Sequence, residues 1–126
     1  MKLIIAGDRN FSDYPLLLEW ASWVDNALSD PATGAMGLAE VVSGGARGAD
    51  TLGEVWAEEA GVPIKRFPAN WDDHGKAAGY IRNKEMADYA DMLLAFIAPG
   101  SKGTLNMVET MRKVGKPALV VPAEIK

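Results

Sequence analysis

Five short aliphatic runs separated by helix-length segments are the feature that most limits how this chain can fold. The first run, KLIIA (2–6), and the most apolar one, DMLLAFIA (91–98), show no polar alternation, which is typical of strands buried on both faces. Strands that alternate with helices form right-handed βαβ units in a parallel sheet. The pattern therefore predicts a Rossmann-like three-layer α/β/α sandwich whose five-stranded parallel sheet has the order 3-2-1-4-5. The other three runs are AEVVS (39–43), VPIKRF (62–67) and PALVVP (117–122).

The segments between these runs carry apolar residues at the spacing of an amphipathic helix. The predicted helices cover about 15–29, 49–60, 77–90 and 104–114. The segment PANWDDHGKAAGY (68–80) is rich in polar and turn-forming residues, so it is predicted to be a loop that leads into the third helix.

Composition excludes several classes of protein. With 126 residues, 48% of them hydrophobic, the chain is expected to form one domain, 1–126, without metal or disulfide staples. It has no cysteine and a single histidine, His74, so we expect no metal site and no cofactor.

The net charge of -4 argues against general nucleic-acid binding. Because no apolar run is long enough to span a bilayer or to serve as a signal peptide, we expect no membrane contact and a cytoplasmic location, in a bacterium or in the host of a phage.

The loops that follow the strands are where a ligand site is expected, because open α/β sheets bind ligands beyond the carboxyl ends of their strands. Two of these loops, SGGARGAD (43–50) and PGSKGT (99–104), are glycine-rich and run directly into predicted helices. Helix N-termini with free backbone N–H groups favour anions. The predicted ligand-binding residues are Gly7, Arg9, Asn10, Ser43, Gly44, Gly45, Arg47, Gly48, Asp50, Trp71, His74, Arg82, Asn83, Pro99, Gly100, Ser101, Lys102, Gly103 and Thr104.

Each of these signals also has a purely structural interpretation. The glycines of SGGARGAD would suit a sharp strand-to-helix corner, but Arg47 within that turn favours a phosphate or carboxylate ligand. Arg82 falls on the inward face of its helix, where either an anionic ligand or a protein carboxylate could be its partner. Trp71 and His74 could stack on a base or close over the site, or be ordinary loop residues. Asp8 could be a turn residue or a ligand group.

Three motifs in order along the chain resemble a known family. They are GG-x-RGAD, W-x-x-HG-x-AAG-x-IRN-x-x-M and PG-x-x-GT, and they are similar to those of the YspA/YpsA-related branch of the SLOG superfamily. This superfamily contains Rossmann-like domains related to the LOG and DprA proteins. The resemblance covers nearly the whole chain. It implies a nucleotide or nucleotide-derived ligand of the AMP, NAD or ADP-ribose type, and some members act as sensors in bacterial or phage conflict.

The resemblance also implies a reaction, but this chain differs from the family's motif at one residue that the reaction uses. LOG enzymes cleave the N-glycosidic bond of nucleoside 5′-monophosphates with an arginine and a glutamate, the latter in PGG-x-GT-x-x-E. By this resemblance Arg82 matches the arginine, and Gly100, Gly103 and Thr104 match the phosphate loop. Met107 stands where the glutamate is expected. The candidates for catalysis are therefore Arg82, Asp50 and His74, with Asn106 or Asp72 as further groups that could act.

Two functions are consistent with these residues. The first is a binding module that holds the ligand's phosphates on the two glycine-rich turns, for sensing or sequestration. The alternative is an N-glycosidase that acts on a nucleoside phosphate or an ADP-ribosyl compound. Trp20, Trp23 and Trp56 fall within helical patterns, which predicts either a core position or a subunit interface, and we expect a homo-oligomer.

Overall fold

A computed structural model describes residues 1–34 and 37–124 and has the predicted architecture. All five strands are parallel, and their order is β3-β2-β1-β4-β5, which confirms the predicted order. The strands are β1 Lys2–Gly7, β2 Glu40–Ser43, β3 Ile64–Arg66, β4 Met92–Ile97 and β5 Ala118–Pro122. The helices are α1 Tyr14–Leu28, α2 Ala49–Ala60, α3 Trp71–His74, α4 Ala78–Tyr89 and α5 Lys102–Lys113, with a 3₁₀ turn at Gly75–Ala77.

The segment predicted to be a loop contains regular structure, so that prediction is wrong. Residues Trp71–His74 form the short helix α3, which the 3₁₀ turn joins to α4. The side chain of Asn70 accepts a hydrogen bond of 3.1 Å from the backbone N–H of Asp73. This N-cap stabilises a single helical turn within a sequence whose composition is that of a loop.

The core has two halves, one on each face of the sheet. Leu3 and Ile5 of β1 pack with α1 and α2, whereas Ile4 of the same strand packs with α4 and α5. Successive side chains of a strand point to opposite faces, so the continuous aliphatic runs supply both halves. The chain leaves β1 toward one face and β4 toward the other, which opens a crevice between the ends of these two strands.

Gly7 brings the ends of β1 and β4 into close contact. A Cβ atom on Gly7 would lie 2.4 Å from the carbonyl oxygen of Phe96 and 2.8 Å from the Cβ of Ala49. The next residue, Asp8, donates its backbone N–H to that same Phe96 oxygen at 3.0 Å. The loops that follow the two strands therefore start side by side.

Candidate functional site

A cleft of about 400 Å³ lies at the carboxyl ends of β1 and β4. Its walls come from the loop after β1, the turn before α2, the start of α3, one face of α4 and the start of α5. The predicted site residues that line it are Gly7, Arg9, Asp50, Trp71, Arg82, Asn83, Gly100, Ser101, Lys102, Gly103 and Thr104. Residues from five separate segments of the chain thus meet in one place.

The start of α5 forms one wall of the cleft with consecutive residues from Gly100 to Thr104. Ser101 occupies the N-cap position, yet within the described part of the chain its side chain makes no cap hydrogen bond to the helix. Its hydroxyl instead donates to the Asp8 carboxylate at 2.6 Å and accepts from the Ala98 N–H at 3.2 Å. The Lys102 N–H donates to the Gly100 carbonyl oxygen at 2.9 Å, whereas among the described residues the N–H groups of Gly103 and Thr104 have no hydrogen-bond partner. These two groups leave the start of α5 open toward the cleft.

Asp8 connects the two loops that flank this wall. Besides the hydrogen bond from Ser101, its carboxylate accepts the backbone N–H of Asn10 at 2.8 Å. These two hydrogen bonds, with the nearby guanidinium of Arg9, hold the pKa of Asp8 below its ordinary value despite some desolvation. The charged carboxylate therefore stabilises its own turn through the Asn10 N–H and holds the Ser101 hydroxyl in place.

The SGGARGAD turn directs several of its N–H groups to oxygens of the protein itself. The N–H of Ala46 donates to the Asp50 carboxylate at 3.2 Å, and that of Gly45 donates to the Ser43 hydroxyl at 3.1 Å. Ser43 in turn donates to Glu54 at 2.6 Å. An internal carboxylate, that of Asp50, thus occupies the position at which an anion was expected.

Asp50 is a buried acid at the floor of the cleft. Its side chain belongs to the first turn of α2, and the residue is only 6% exposed. Burial raises the pKa of Asp50 to about 6, with a further contribution from Glu54. The N–H groups of Ala46 and Gly44 and the guanidinium of Arg82 limit that increase.

Arg82 lies across the same turn. Its Nη1 donates to the carbonyl oxygen of Gly44 at 2.7 Å, while its Nε is buried and has no hydrogen-bond partner among the described residues. A Cβ atom on Gly44 would lie 2.7 Å from Arg82 Nη1 and 2.8 Å from an Asp50 oxygen, so a side chain at this position would displace one or both of these side-chain ends. The sequence left open whether the partner of Arg82 is an anionic ligand or a protein carboxylate. In the structure the guanidinium contacts a backbone carbonyl oxygen, and the Asp50 carboxylate is near enough to interact with it electrostatically.

One face of α4 lines the cleft at helical spacing. Gly79, Arg82, Asn83 and Met86 all contribute, as residues three and four apart on a helix share a face. The buried Asn83 donates to the Gly103 carbonyl oxygen at 3.2 Å and to Asn106 Oδ1 at 2.9 Å. Its amide therefore holds the start of α5 in place.

The structure adds lining residues that were not among the predicted site residues. Tyr80 lines the same cleft as Trp71, and Met107 contributes an apolar wall at the position that the resemblance matches to the glutamate of LOG enzymes. Gly79 and Met86 could have been found by counting along the helix from Arg82. No signal in the sequence singled out Tyr80, because its neighbour Trp71 was expected to lie in a loop.

The remaining predicted site residues lie outside the lining of this cleft. Arg47 is exposed on the turn before α2. His74 contributes instead to a second cavity of about 370 Å³, which also contains Lys65 and Phe67 and shares Arg82 with the first. The others are Asn10, Ser43, Gly44, Gly45, Gly48 and Pro99.

A parallel sheet with a polar cleft at the point where the strand order reverses defines the class of a Rossmann-like α/β domain. The chain belongs to the YspA, cpYpsA-related SLOG family, whose model matches residues 1–74. It is 36% identical over 124 residues to the gene 61 protein of Mycobacterium phage D29, and the match covers 94% of each chain.

The fold is also similar to that of the DNA processing protein DprA from Streptococcus pneumoniae. The TM-score is 0.72 at 18% sequence identity, and the match covers 98% of this chain and 51% of DprA. This chain thus corresponds to about half of DprA, and at this identity the likeness shows the fold alone. Within the described residues, no helix combines the length and apolar character needed to cross a membrane.

Proposed function

We propose that the cleft binds a nucleotide or nucleotide-derived ligand, such as AMP, NAD or ADP-ribose, with a phosphate at the start of α5. The observation that carries this proposal is the hydrogen bond from Ser101 to Asp8. It removes the cap from α5 while the helix start lines the cleft. The N–H groups of Gly103 and Thr104, which have no partner among the described residues, and the helix dipole together favour an anion.

The basic side chains of the cleft support this placement and counter the negative charge of Asp8, which also lines it. Lys102 is the first residue of α5, and Arg9 is exposed on the loop after β1. Arg82 lies deeper, near the buried Asp50. Compared with the expectation of two phosphate turns, the geometry favours one, because the N–H groups of Gly45 and Ala46 already have partners.

The role that we propose is sensing or sequestration of this ligand in bacterial or phage conflict. The relative encoded by a mycobacteriophage supports a setting of this kind. Met107 supports binding without turnover, because a buried thioether replaces the carboxylate that a LOG-type hydrolysis requires.

A second candidate function is hydrolysis of the N-glycosidic bond, and Asp50 is the observation in its favour. A carboxyl group whose pKa is raised to about 6 can donate a proton to a departing base near neutral pH. Release of free base from AMP or NAD, followed by chromatography, separates the two functions. Base release that Asp50→Asn abolishes would support hydrolysis, whereas binding without release would support the first proposal.

Isothermal titration calorimetry tests the proposed binding function. We expect AMP, NAD or ADP-ribose to bind, and adenosine to bind much more weakly because it lacks the phosphate. Mass spectrometry of small molecules that copurify with the protein provides an independent readout. If none of the three phosphate compounds binds and no nucleotide copurifies, the proposed function is wrong.

A further inference from the structure

Two large aromatic side chains line the cleft with most of their surface exposed. Trp71 is 60% exposed and Tyr80 is 51% exposed. In residues 1–34 and 37–124, neither ring packs against another aromatic ring, and neither polar tip has a hydrogen-bond partner. Exposed rings grouped at the edge of a cleft are typical of a surface that a ligand covers.

The position of Trp71 is fixed by local structure. Asn70 caps α3 through its side-chain oxygen, and its side-chain N–H₂ donates to the Asp73 carboxylate at 2.8 Å. The Trp71 ring atom Cη2 lies 3.7 Å from the position that a Cβ on Gly79 would take. The indole therefore lies over the start of α4, the helix that carries Tyr80.

The two rings and the open start of α5 belong to the same cleft. The rings come from α3 and α4, whereas Lys102 and Gly103 come from α5. A ligand with an anionic end at α5 would therefore have an apolar, flat surface available for its other end. Flat aromatic bases bind to such surfaces by stacking.

We propose that Trp71 and Tyr80 bind the aromatic base of the ligand by stacking. This inference rests on the proposed phosphate site at α5 and adds which side chains bind the base of the nucleotide. A sugar phosphate or inorganic phosphate would occupy only the part of the cleft at α5. The groups that bind the phosphate thus lie at the start of α5, and the side chains that bind the base lie on α3 and α4.

Calorimetric titration with AMP and with ribose 5-phosphate tests this inference, because the two probes differ only in the base. We expect AMP to bind roughly tenfold more tightly to the wild-type protein, since stacking on one aromatic side chain contributes that order of affinity. Trp71→Ala should remove most of this preference without changing the affinity for ribose 5-phosphate. Trp71→Phe should retain most of it, because phenylalanine keeps a flat ring.

Trp23→Ala is the matched control. Trp23 is 58% exposed, like Trp71, but lies on α1, outside the cleft, so its removal should leave both affinities unchanged. Equal binding of the two probes to the wild type, or an undiminished preference for AMP in Trp71→Ala, would overturn the stacking inference and leave the phosphate site in place. If neither probe binds, the phosphate site and the stacking inference are both wrong.

Discussion

The Asp8 carboxylate accepts a hydrogen bond of 2.6 Å from the hydroxyl of Ser101, a residue 93 positions away along the chain. This contact joins the loop after β1 to the start of α5. It also turns the Ser101 side chain away from the helix that it would normally cap. One hydrogen bond thus joins two walls of the cleft and leaves the start of α5, the proposed phosphate site, without a side-chain cap.

Ser101→Ala should raise the pKa of Asp8 toward its ordinary value of 3.8, because the hydrogen bond from Ser101 is the largest cause of the lowered pKa. A lowered pKa stabilises the fold above the unfolded-state pKa, and this stabilisation is lost as pH falls. The variant should therefore lose less stability on acidification than the wild type. An NMR titration of the Asp8 carboxyl carbon measures the shift. Ser12→Ala, at an exposed position, is the control, and an unchanged Asp8 pKa in Ser101→Ala would contradict the assignment.

Asp50→Asn should change how stability depends on pH. The pKa of Asp50 is raised from 3.8 to about 6 in the folded protein, so between these values the folded state binds more protons than the unfolded state. Stability contributed by this group is therefore present below about pH 4 and is lost as pH rises to about 6. Over this range the free energy of unfolding should fall by an amount of the order of 3 kcal/mol in the wild type. The Asn variant, whose side chain does not titrate, should not show this decrease. Urea denaturation of both proteins across this range provides the measurement; parallel pH profiles would contradict the prediction.

Arg82→Met should destabilise the protein by about 1–3 kcal/mol, because it leaves the Gly44 carbonyl oxygen without its donor. Loss of the guanidinium should also raise the pKa of Asp50 further. Lys84→Met is a matched control on the same helix: among the residues that the structure describes, the exposed Lys84 pairs only with Asp88, and the substitution should cost less than about 0.5 kcal/mol. Thermal denaturation compares the two variants. Equal effects would show that Arg82 has no special structural role.

Gly48→Ala should destabilise more than Gly34→Ala, although both glycines have similar positive φ angles of +79° and +76°. A Cβ atom on Gly48 would lie 2.3 Å from the Asp8 carbonyl oxygen, whereas one on Gly34 would have no atom of the described residues within 4 Å. The control substitution should cost about 1 kcal/mol from backbone strain alone. Gly48→Ala should cost distinctly more, as measured by urea denaturation, and a difference within experimental error would refute the close contact.

The strand order could be predicted from the sequence because it depends on a pattern that extends along the whole chain. Uninterrupted aliphatic runs predicted buried parallel strands, and the alternation with helices predicted the sheet order that the structure has. Helix α3 could not be predicted in the same way. It depends on one side-chain cap, that of Asn70 on Asp73, in a segment whose composition favours a loop.

The candidate site was predictable in position but not in detail. The rule for open α/β sheets located the cleft beyond the strand ends, and helical spacing pointed to Arg82. The sequence does not indicate whether the N–H groups of SGGARGAD donate to a ligand or to the protein. In the structure the Asp50 carboxylate accepts the N–H of Ala46 in this turn. The contact between Asp8 and Ser101 joins distant segments, so one sequence gives no indication of it.

The central claim, that a phosphate binds at the start of α5, is tested most directly by calorimetric titration of Gly103→Asp with AMP. In the described part of the chain, no atom lies within 4 Å of the position that a Cβ on Gly103 would take, and a carboxylate in the first turn stabilises a helix by about 0.3–1 kcal/mol. We therefore expect this variant to be at least as stable as the wild type and to lose AMP binding. Ala27→Asp adds the same charge at an exposed position of α1 and should bind AMP normally. If Gly103→Asp binds AMP as tightly as the wild type, the phosphate does not lie at α5.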